Sequence, residues 1–293
     1  MQKSPNPRIA TGVAGFAEHY EVFLVDQWGV LHDGQTPFPG AIDCLRRLQT
    51  LGKRVVILSN SGKRAADNAA RLRTMDITED CYTALVTSGE VVRAQLAART
   101  APFVPTLGRR CLLLSSDGTD KLVQGLDVEV VRTVAAADFI LLAGVADEHA
   151  MTYYQPMLEY GSTHGLPLIC ANPDLMRFSP QGLTFSAGEL ARRYEQLGGT
   201  VHYVGKPHEA IYRYCGQVLG DFDPHHAVAI GDSVCHDVVG GAKAGLATAL
   251  VTGGIHHADF ADVIDDAQRL KRVSAIAREH GIRPDWVIPG FAW

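Results

Sequence analysis

A chain of 293 residues exceeds a typical single domain, and with 46% hydrophobic and 20% charged residues it has the composition of a soluble globular protein. No stretch approaches the roughly 20 consecutive apolar residues that a membrane-spanning helix requires. A formal charge of -5 without any run of Lys or Arg gives no footprint for nucleic acid or an anionic membrane, so a small metabolite is the expected partner.

Met1–Arg8 lacks the apolar core of a secretory signal and reads as a short loose start, with a cytoplasmic location expected. Val22-Phe23-Leu24-Val25 reads as a buried strand ending at Asp26. Gly40 to Leu51 follows with Ala41, Ile42, Leu45 and Leu48 on one helix face, and Gly52 stands where a helix stops. Val55 to Leu58 is a second strand, ending at Ser59-Asn60-Ser61, with a helix expected from about Lys63. From about 90 to 199 the chain carries its own strands (Cys111–Leu114, Phe139–Leu142, Leu166–Cys170) and helices (Met151–Tyr160, Ala187–Leu197). Alternation then resumes with strand Val201–Val204, helix His208–Leu219, strand Ala227–Ile230, helix Val238–Ala244 and strand Ala247–Val251.

This alternation predicts an α/β protein with a mostly parallel sheet, formed by 1–89 and 200–293, with 90–199 as an inserted α/β domain. Ligands of open α/β sheets lie outside the carboxyl ends of the strands, so those ends are where the chemistry is sought. Six cysteines (Cys44, Cys81, Cys111, Cys170, Cys215, Cys235) stand far apart, without zinc-ligand spacing, and read as reduced structural thiols.

Strand ends bring together a distinctive set of residues. Asp26 alone would be an ordinary turn residue, but Gly231-Asp232 and Asp237 follow another strand end, and carboxylates in this number suit an oxygen-loving Mg²⁺. Ser59-Asn60 offers a hydroxyl and backbone N–H groups to a phosphate oxygen, or else simply caps the next helix. Lys206, set between Gly205 and Pro207 at a strand end, reads as a counter-charge to the carboxylates.

In this order, Asp26-x-x-Gly29-Val30, Ser59-Asn60, Lys206 and Gly231-Asp232-x-x-x-x-Asp237 resemble the four motifs of haloacid dehalogenase-like hydrolases. The likeness is nearest to subfamily IIA, the NagD-like and nitrophenylphosphatase-like branch. It is supported by Asp33-Gly34, Pro39-Gly40-Ala41, Asn172-Pro173-Asp174 and Ala244-Gly245, and it covers nearly the whole chain. The resemblance implies a Rossmann-like core with an inserted C2-type cap and a phosphatase acting on a small phosphorylated metabolite. Asp26 would attack phosphorus to form an aspartyl-phosphate, while Ser59, Asn60 and Lys206 would hold the phosphoryl oxygens. Mg²⁺ would be bound by Asp26, Asp232 and the main-chain carbonyl of Trp28, with Asp237 in support. Asn172, Asp174 and Arg177 are the polar cap candidates for substrate selection. The terminal aromatics Phe291 and Trp293 suit packing on the core or contact with a second copy in a homodimer.

One position departs from the family pattern. Phosphatases of this superfamily usually carry an acid/base Asp two residues after the nucleophile, and here that position is Trp28. An indole donates a hydrogen bond but does not shuttle a proton at neutral pH. Three readings follow: His32, Asp33 or His236 takes over proton transfer; the substrate has a leaving group that needs none; or the chain binds a phosphometabolite with little turnover. A dehalogenase is disfavoured, because the Asp232/Asp237 pair points to a metal.

Overall fold

The computed structural model describes residues 7–99, 101–179 and 182–293, so most of the predicted loose start, Met1–Asn6, lies outside the described residues. Four strands come first: β1 (Arg8–Ile9), β2 (Val22–Asp26), β3 (Arg54–Ser59) and β4 (Ala84–Thr87). The middle of the chain contributes β5 (Arg110–Leu114), β6 (Glu129–Val131), β7 (Phe139–Leu142), β8 (Leu168–Cys170), β9 (Met176–Ser179), β10 (Gly182–Phe185) and β11 (Val201–Tyr203). Three strands close it: β12 (Ala227–Gly231), β13 (Ala247–Val251) and β14 (Trp286–Ile288).

Two compact units result, one comprising the chain through Ser59 with Asn68–Val86 and Tyr212–Trp293, the other Asn60–Asp67 with Thr87–Ile211. The first is built on a seven-stranded sheet in the order β1-β14-β13-β12-β2-β3-β4. Its pairs from β1 through β3 are all parallel. Strands β2 and β12 are neighbours, with β3 and β4 laid down on one side and β13 and β14 on the other. That is the reversal of strand order at which α/β sheets open a crevice.

The core of this sheet follows from its sequence. Apolar and polar residues do not alternate along β2, because both faces are covered: Val22, Phe23, Leu24 and Val25 are all buried, as expected of a strand in a parallel sheet. Helix α1 (Ala41–Thr50) buries Ala41, Cys44, Leu45 and Leu48 at helical spacing, and Gly52, at a φ of 71°, supplies the left-handed residue beyond its end. Leu45 and Leu48 pack in the same cluster as Val55, Ile57 and Ile230, so Leu45→Ala should cost about 2–5 kcal/mol.

The second unit has a five-stranded sheet in the order β11-β8-β7-β5-β6, all parallel, and an antiparallel β9-β10 hairpin. Here the structure corrects the sequence reading of 200–293 as one continuous return to the core. Strand β11 pairs with β8, Val201 opposite Leu168 and Tyr203 opposite Cys170. A short apolar run identifies a strand, but only its hydrogen-bonding partner identifies its sheet. Residues 60–67 likewise group with this unit, outside the predicted 90–199 bounds.

No helix among the described residues is long and apolar enough to cross a membrane. All six cysteines stand outside any disulfide, five of them buried and Cys235 exposed. Burial pushes the Cys111 and Cys170 thiols up to about 12, which leaves them inert packing groups at neutral pH.

Candidate active site

Asp26 is the last residue of β2, Asp232 directly follows β12, and Asp237 lies in the wide helical turn Val234–Val238 that comes next. Parallel pairing of β2 with β12 brings these chain segments together, and one carboxylate oxygen from each residue lies within 4.8 Å of the others. Like charges at such separations repel strongly in a partly desolvated site. A divalent cation answers that repulsion, and an all-oxygen donor set suits a hard ion.

Glycines make room for this cluster. A Cβ on Gly29 would lie 1.9 Å from Asp232 Oδ2, and one on Gly254 would lie 2.2 Å from the same oxygen. A Cβ on Gly231 would come within 1.9 Å of the Asp237 carboxyl carbon. Gly29 also has a φ of 77°, a left-handed conformation that disfavours any side chain. The carboxylates are further fixed by the backbone: Ile255 N–H donates to Asp232 Oδ2 at 2.7 Å, and Ser233 N–H donates to Asp237 Oδ2 at 3.1 Å. In the sequence the only signal for Gly254 and Ile255 is the Gly253-Gly254 pair just after β13.

Trp28 stands beside the cluster in a tight loop. Gly29 N–H donates to His32 O at 3.0 Å and Leu31 N–H to Gln27 O at 3.0 Å. Its ring lies 5.2 Å from the His32 ring, and the Arg71 guanidinium sits 4.9 Å from its centroid on a cation–π contact. Gly34 passes directly beneath: a Cβ there would lie 2.1 Å from Trp28 Cη2. Arg71 Nη2 donates to Gly34 O, which ties the guanidinium to the same loop.

Two sequence candidates for proton transfer are otherwise engaged. His32 is fully buried; Gly34 N–H donates to its Nδ1 at 2.8 Å, and the Gln27 side-chain amide lies 3.1 Å from its Nε2. The Gln27 atom at that distance is Nε2, while its buried Oε1 has no partner among the described residues; since a neutral ring that accepts at Nδ1 carries its proton at Nε2, the flipped amide, with Oε1 accepting from that N–H, is the chemically consistent orientation. Burial, followed by the nearby Arg71 charge, lowers the His32 pKa to about 4. Asp33 accepts from the Gln35 and Thr36 N–H groups at 2.8 and 2.7 Å, and these bonds hold its carboxyl below the ordinary range. The third candidate, His236, is half-buried, with Nδ1 3.4 Å from Ser233 Oγ.

Ser59 is buried at the end of β3, the strand on which Leu58 pairs with Asp26. Within the second unit Asn60 is a junction. Its Nδ2 donates to Asp174 Oδ1 at 2.8 Å and to Lys206 O at 3.2 Å, while its Oδ1 accepts from Lys206 N–H at 2.7 Å. Gly205 is needed there, because a Cβ would lie 2.4 Å from Ser88 Oγ and 2.5 Å from Asn60 Oδ1. Asn172 Oδ1 accepts from Asp174 N–H at 3.1 Å, an Asx turn that shapes the Asn172-Pro173-Asp174 loop. Arg177, on β9, is matched by Asp147 at 2.6 Å rather than presenting an open charge.

The family model for haloacid dehalogenase-like hydrolases matches residues 23–129, and a HAD-hydrolase-like model matches 203–292. A crystal structure of a haloacid dehalogenase-like hydrolase from Brucella suis 1330 shares 30% identity and a TM-score of 0.79, covering 96% of this chain and 99% of its own. The chain belongs to the haloacid dehalogenase-like hydrolases. The first match spans Asp26, Trp28, Ser59 and Asn60, the second Lys206, Asp232 and Asp237. This hydrolase is 28% identical over 278 residues to a dihydroxyacetone phosphatase from Corynebacterium glutamicum (strain R), covering 92% of this chain and 89% of the relative. A glycerol phosphate phosphatase from Mycobacterium tuberculosis, solved in complex with magnesium, shares the fold at 23% identity and a TM-score of 0.69, covering 93% of this chain and 75% of its own. Within the family the chain falls in subfamily IIA, together with its NagD and nitrophenyl phosphatase relatives.

Proposed function

We propose that this hydrolase is a Mg²⁺-dependent phosphatase of a small phosphorylated metabolite, with Asp26 as its nucleophile. The observation that carries the reading is the convergence of Asp26, Asp232 and Asp237 at the switch point of the first sheet. The Asp26 carboxylate forms a bond to phosphorus as the bond to the leaving oxygen breaks, giving an aspartyl-phosphate that water then cleaves. Ser59, the Asn60 backbone and Lys206 hold the phosphoryl oxygens and offset their charge. Mg²⁺, held by Asp26, Asp232 and the Trp28 carbonyl with Asp237 in support, would supply charge neutralisation at the transferring group.

Magnesium in the Mycobacterium tuberculosis relative supports the choice of ion, and so does the donor set. The relatives' names, a dihydroxyacetone phosphatase and a glycerol phosphate phosphatase, favour turnover over mere binding and favour a small substrate. The inserted unit acts as the cap, and Asn172 and Asp174 in its Asn60-linked loop select the substrate. The test is phosphate release from a panel of phosphometabolites, with and without Mg²⁺, by wild type and Asp26→Asn. Metal-dependent release that Asp26→Asn abolishes is the expected result; release that survives Asp26→Asn contradicts it.

A further inference from the structure

The Trp28 loop bears on which phosphates can be cleaved. A general acid at this position would protonate the leaving oxygen in the first half-reaction, and as its conjugate base would take a proton from water in the second. Trp28 can do neither. Nor is its ring free to give the place to another group: Gly34 closes one side with no room for even a Cβ, and Arg71 lies across a ring face. The only imidazole of this loop, His32, is turned into the protein with both ring nitrogens engaged, and Asp33 Oδ1 accepts from the Gln35 and Thr36 N–H groups, which holds the carboxylate against its own turn. Position 28 is thus a built aromatic shelf, with Trp28 37% exposed.

We propose that Trp28 is a specificity-determining residue that restricts this enzyme to phosphoryl donors whose leaving oxygen departs without a proton, namely acyl, enol or aryl phosphates. The inference rests on the reading of Asp26 as nucleophile. In the first half-reaction the Asp26–phosphorus bond forms and the phosphorus–oxygen bond breaks, and the leaving group departs as a stable carboxylate, enolate or phenolate. An alkyl phosphate would have to expel an alkoxide, and the missing acid is worth about 10²- to 10⁴-fold on that step.

The second half-reaction is affected as well. Water adds to the phosphorus of the aspartyl-phosphate as the bond to the Asp26 oxygen breaks, which regenerates the carboxylate. With no base at position 28, the water proton passes to an oxygen of the phosphoryl group itself, so the product leaves as protonated phosphate and the atoms balance. That step is slow relative to the first for a good leaving group, and the covalent intermediate accumulates.

The experiment is rapid-mixing kinetics with Mg²⁺ saturating, using p-nitrophenyl phosphate, acetyl phosphate and glycerol 3-phosphate, on wild type, Trp28→Asp and Trp28→Phe. Wild type should release a burst of nitrophenolate approaching one equivalent, followed by slower turnover. Its kcat/KM should favour the aryl and acyl phosphates over glycerol 3-phosphate by about 10²- to 10⁴-fold. Trp28→Phe should keep that preference, and Trp28→Asp should reduce it at least tenfold and shrink the burst. The wild-type burst and leaving-group preference decide the matter even if Trp28→Asp fails to fold. A phosphoenzyme on Asp26 without a burst, combined with similar rates on all three substrates, overturns the inference while leaving the nucleophile assignment standing. No phosphoenzyme with any donor overturns both.

Discussion

At the reversal of strand order in the first sheet, β2 ends on Asp26 and β12 leads into Asp232, with glycines at 29, 231 and 254 clearing space for carboxylates. The second sheet has the same kind of reversal between β5 and β7, yet its strand ends lead into Ser115-Ser116-Asp117 and Ala143-Gly144. There the chain's own segment occupies the ground. A Cβ on Gly62 would lie 1.8 Å from Ala143 O, Lys63 pairs with Asp117 at 3.0 Å, and Thr87 Oγ1 donates to Lys63 O at 2.7 Å. Topology therefore offers a crevice in each unit, and residue chemistry decides that only the first gathers like charges in need of a counter-ion.

The largest effect expected from this contrast is at Gly254. Gly254→Ala places a methyl group against Asp232 Oδ2 and, at 2.6 Å, against Gly29 O, so the carboxylate must move. Displacing a ligand through its supporting shell typically costs 10–100-fold in metal affinity or activity, so the Mg²⁺ midpoint for phosphate release should rise by about that factor. An unchanged midpoint would show that Gly254 merely fits the loop.

The matching change in the second unit should lower stability and spare the metal. Glu90 accepts from Arg64 Nε at 2.7 Å and from Ala65 N–H at 3.1 Å, at the start of helix α2 (Ala65–Arg73). Loss of these charge-assisted bonds in Glu90→Ala should cost about 1–2 kcal/mol in denaturant unfolding, with no shift in the Mg²⁺ midpoint. A shift in that midpoint would break the separation between the two regions.

These contrasts also mark what the sequence could convey. Strand ends were legible because apolar runs stop abruptly at Asp26, Ser59 and Gly231, and the switch-point rule gathers such ends. The membership of β11 was not, since a three-residue strand carries no record of its partner. Nor was the burial of His32, which follows from the way Gln27 and Gly34 close on its ring. Gly254 was hidden for a similar reason: a glycine after a strand suggests a turn, and only the position of Asp232 shows what its missing side chain makes room for.

The smallest effect should come from the Lys63–Asp117 pair. Its side chains are 48% and 39% exposed, and exposed pairs are worth about 0–1 kcal/mol, so Asp117→Asn should change stability within that range at neutral pH. Burial by itself would raise the Asp117 carboxyl, but Lys63 and Thr119 more than offset it and hold it at about 2, below the ordinary 3.8. A carboxyl with a depressed pKa contributes stability above its unfolded value and loses it as pH falls through the folded one. Unfolding measured between about pH 4 and pH 2 should therefore be slightly less pH-dependent in Asp117→Asn. A large loss at neutral pH would mean that this crevice matters more than its ion pair suggests.

The most direct test of the central claim is to find the residue that carries phosphate. Wild type mixed with Mg²⁺ and p-nitrophenyl phosphate, quenched in acid and reduced with borohydride, converts an aspartyl-phosphate to homoserine, which peptide mass mapping locates. The expected result is homoserine at position 26 alone, dependent on metal and absent from Asp26→Asn. Reduction at Asp232 or Asp237 instead, or a phosphoryl group on any other residue, would contradict the account.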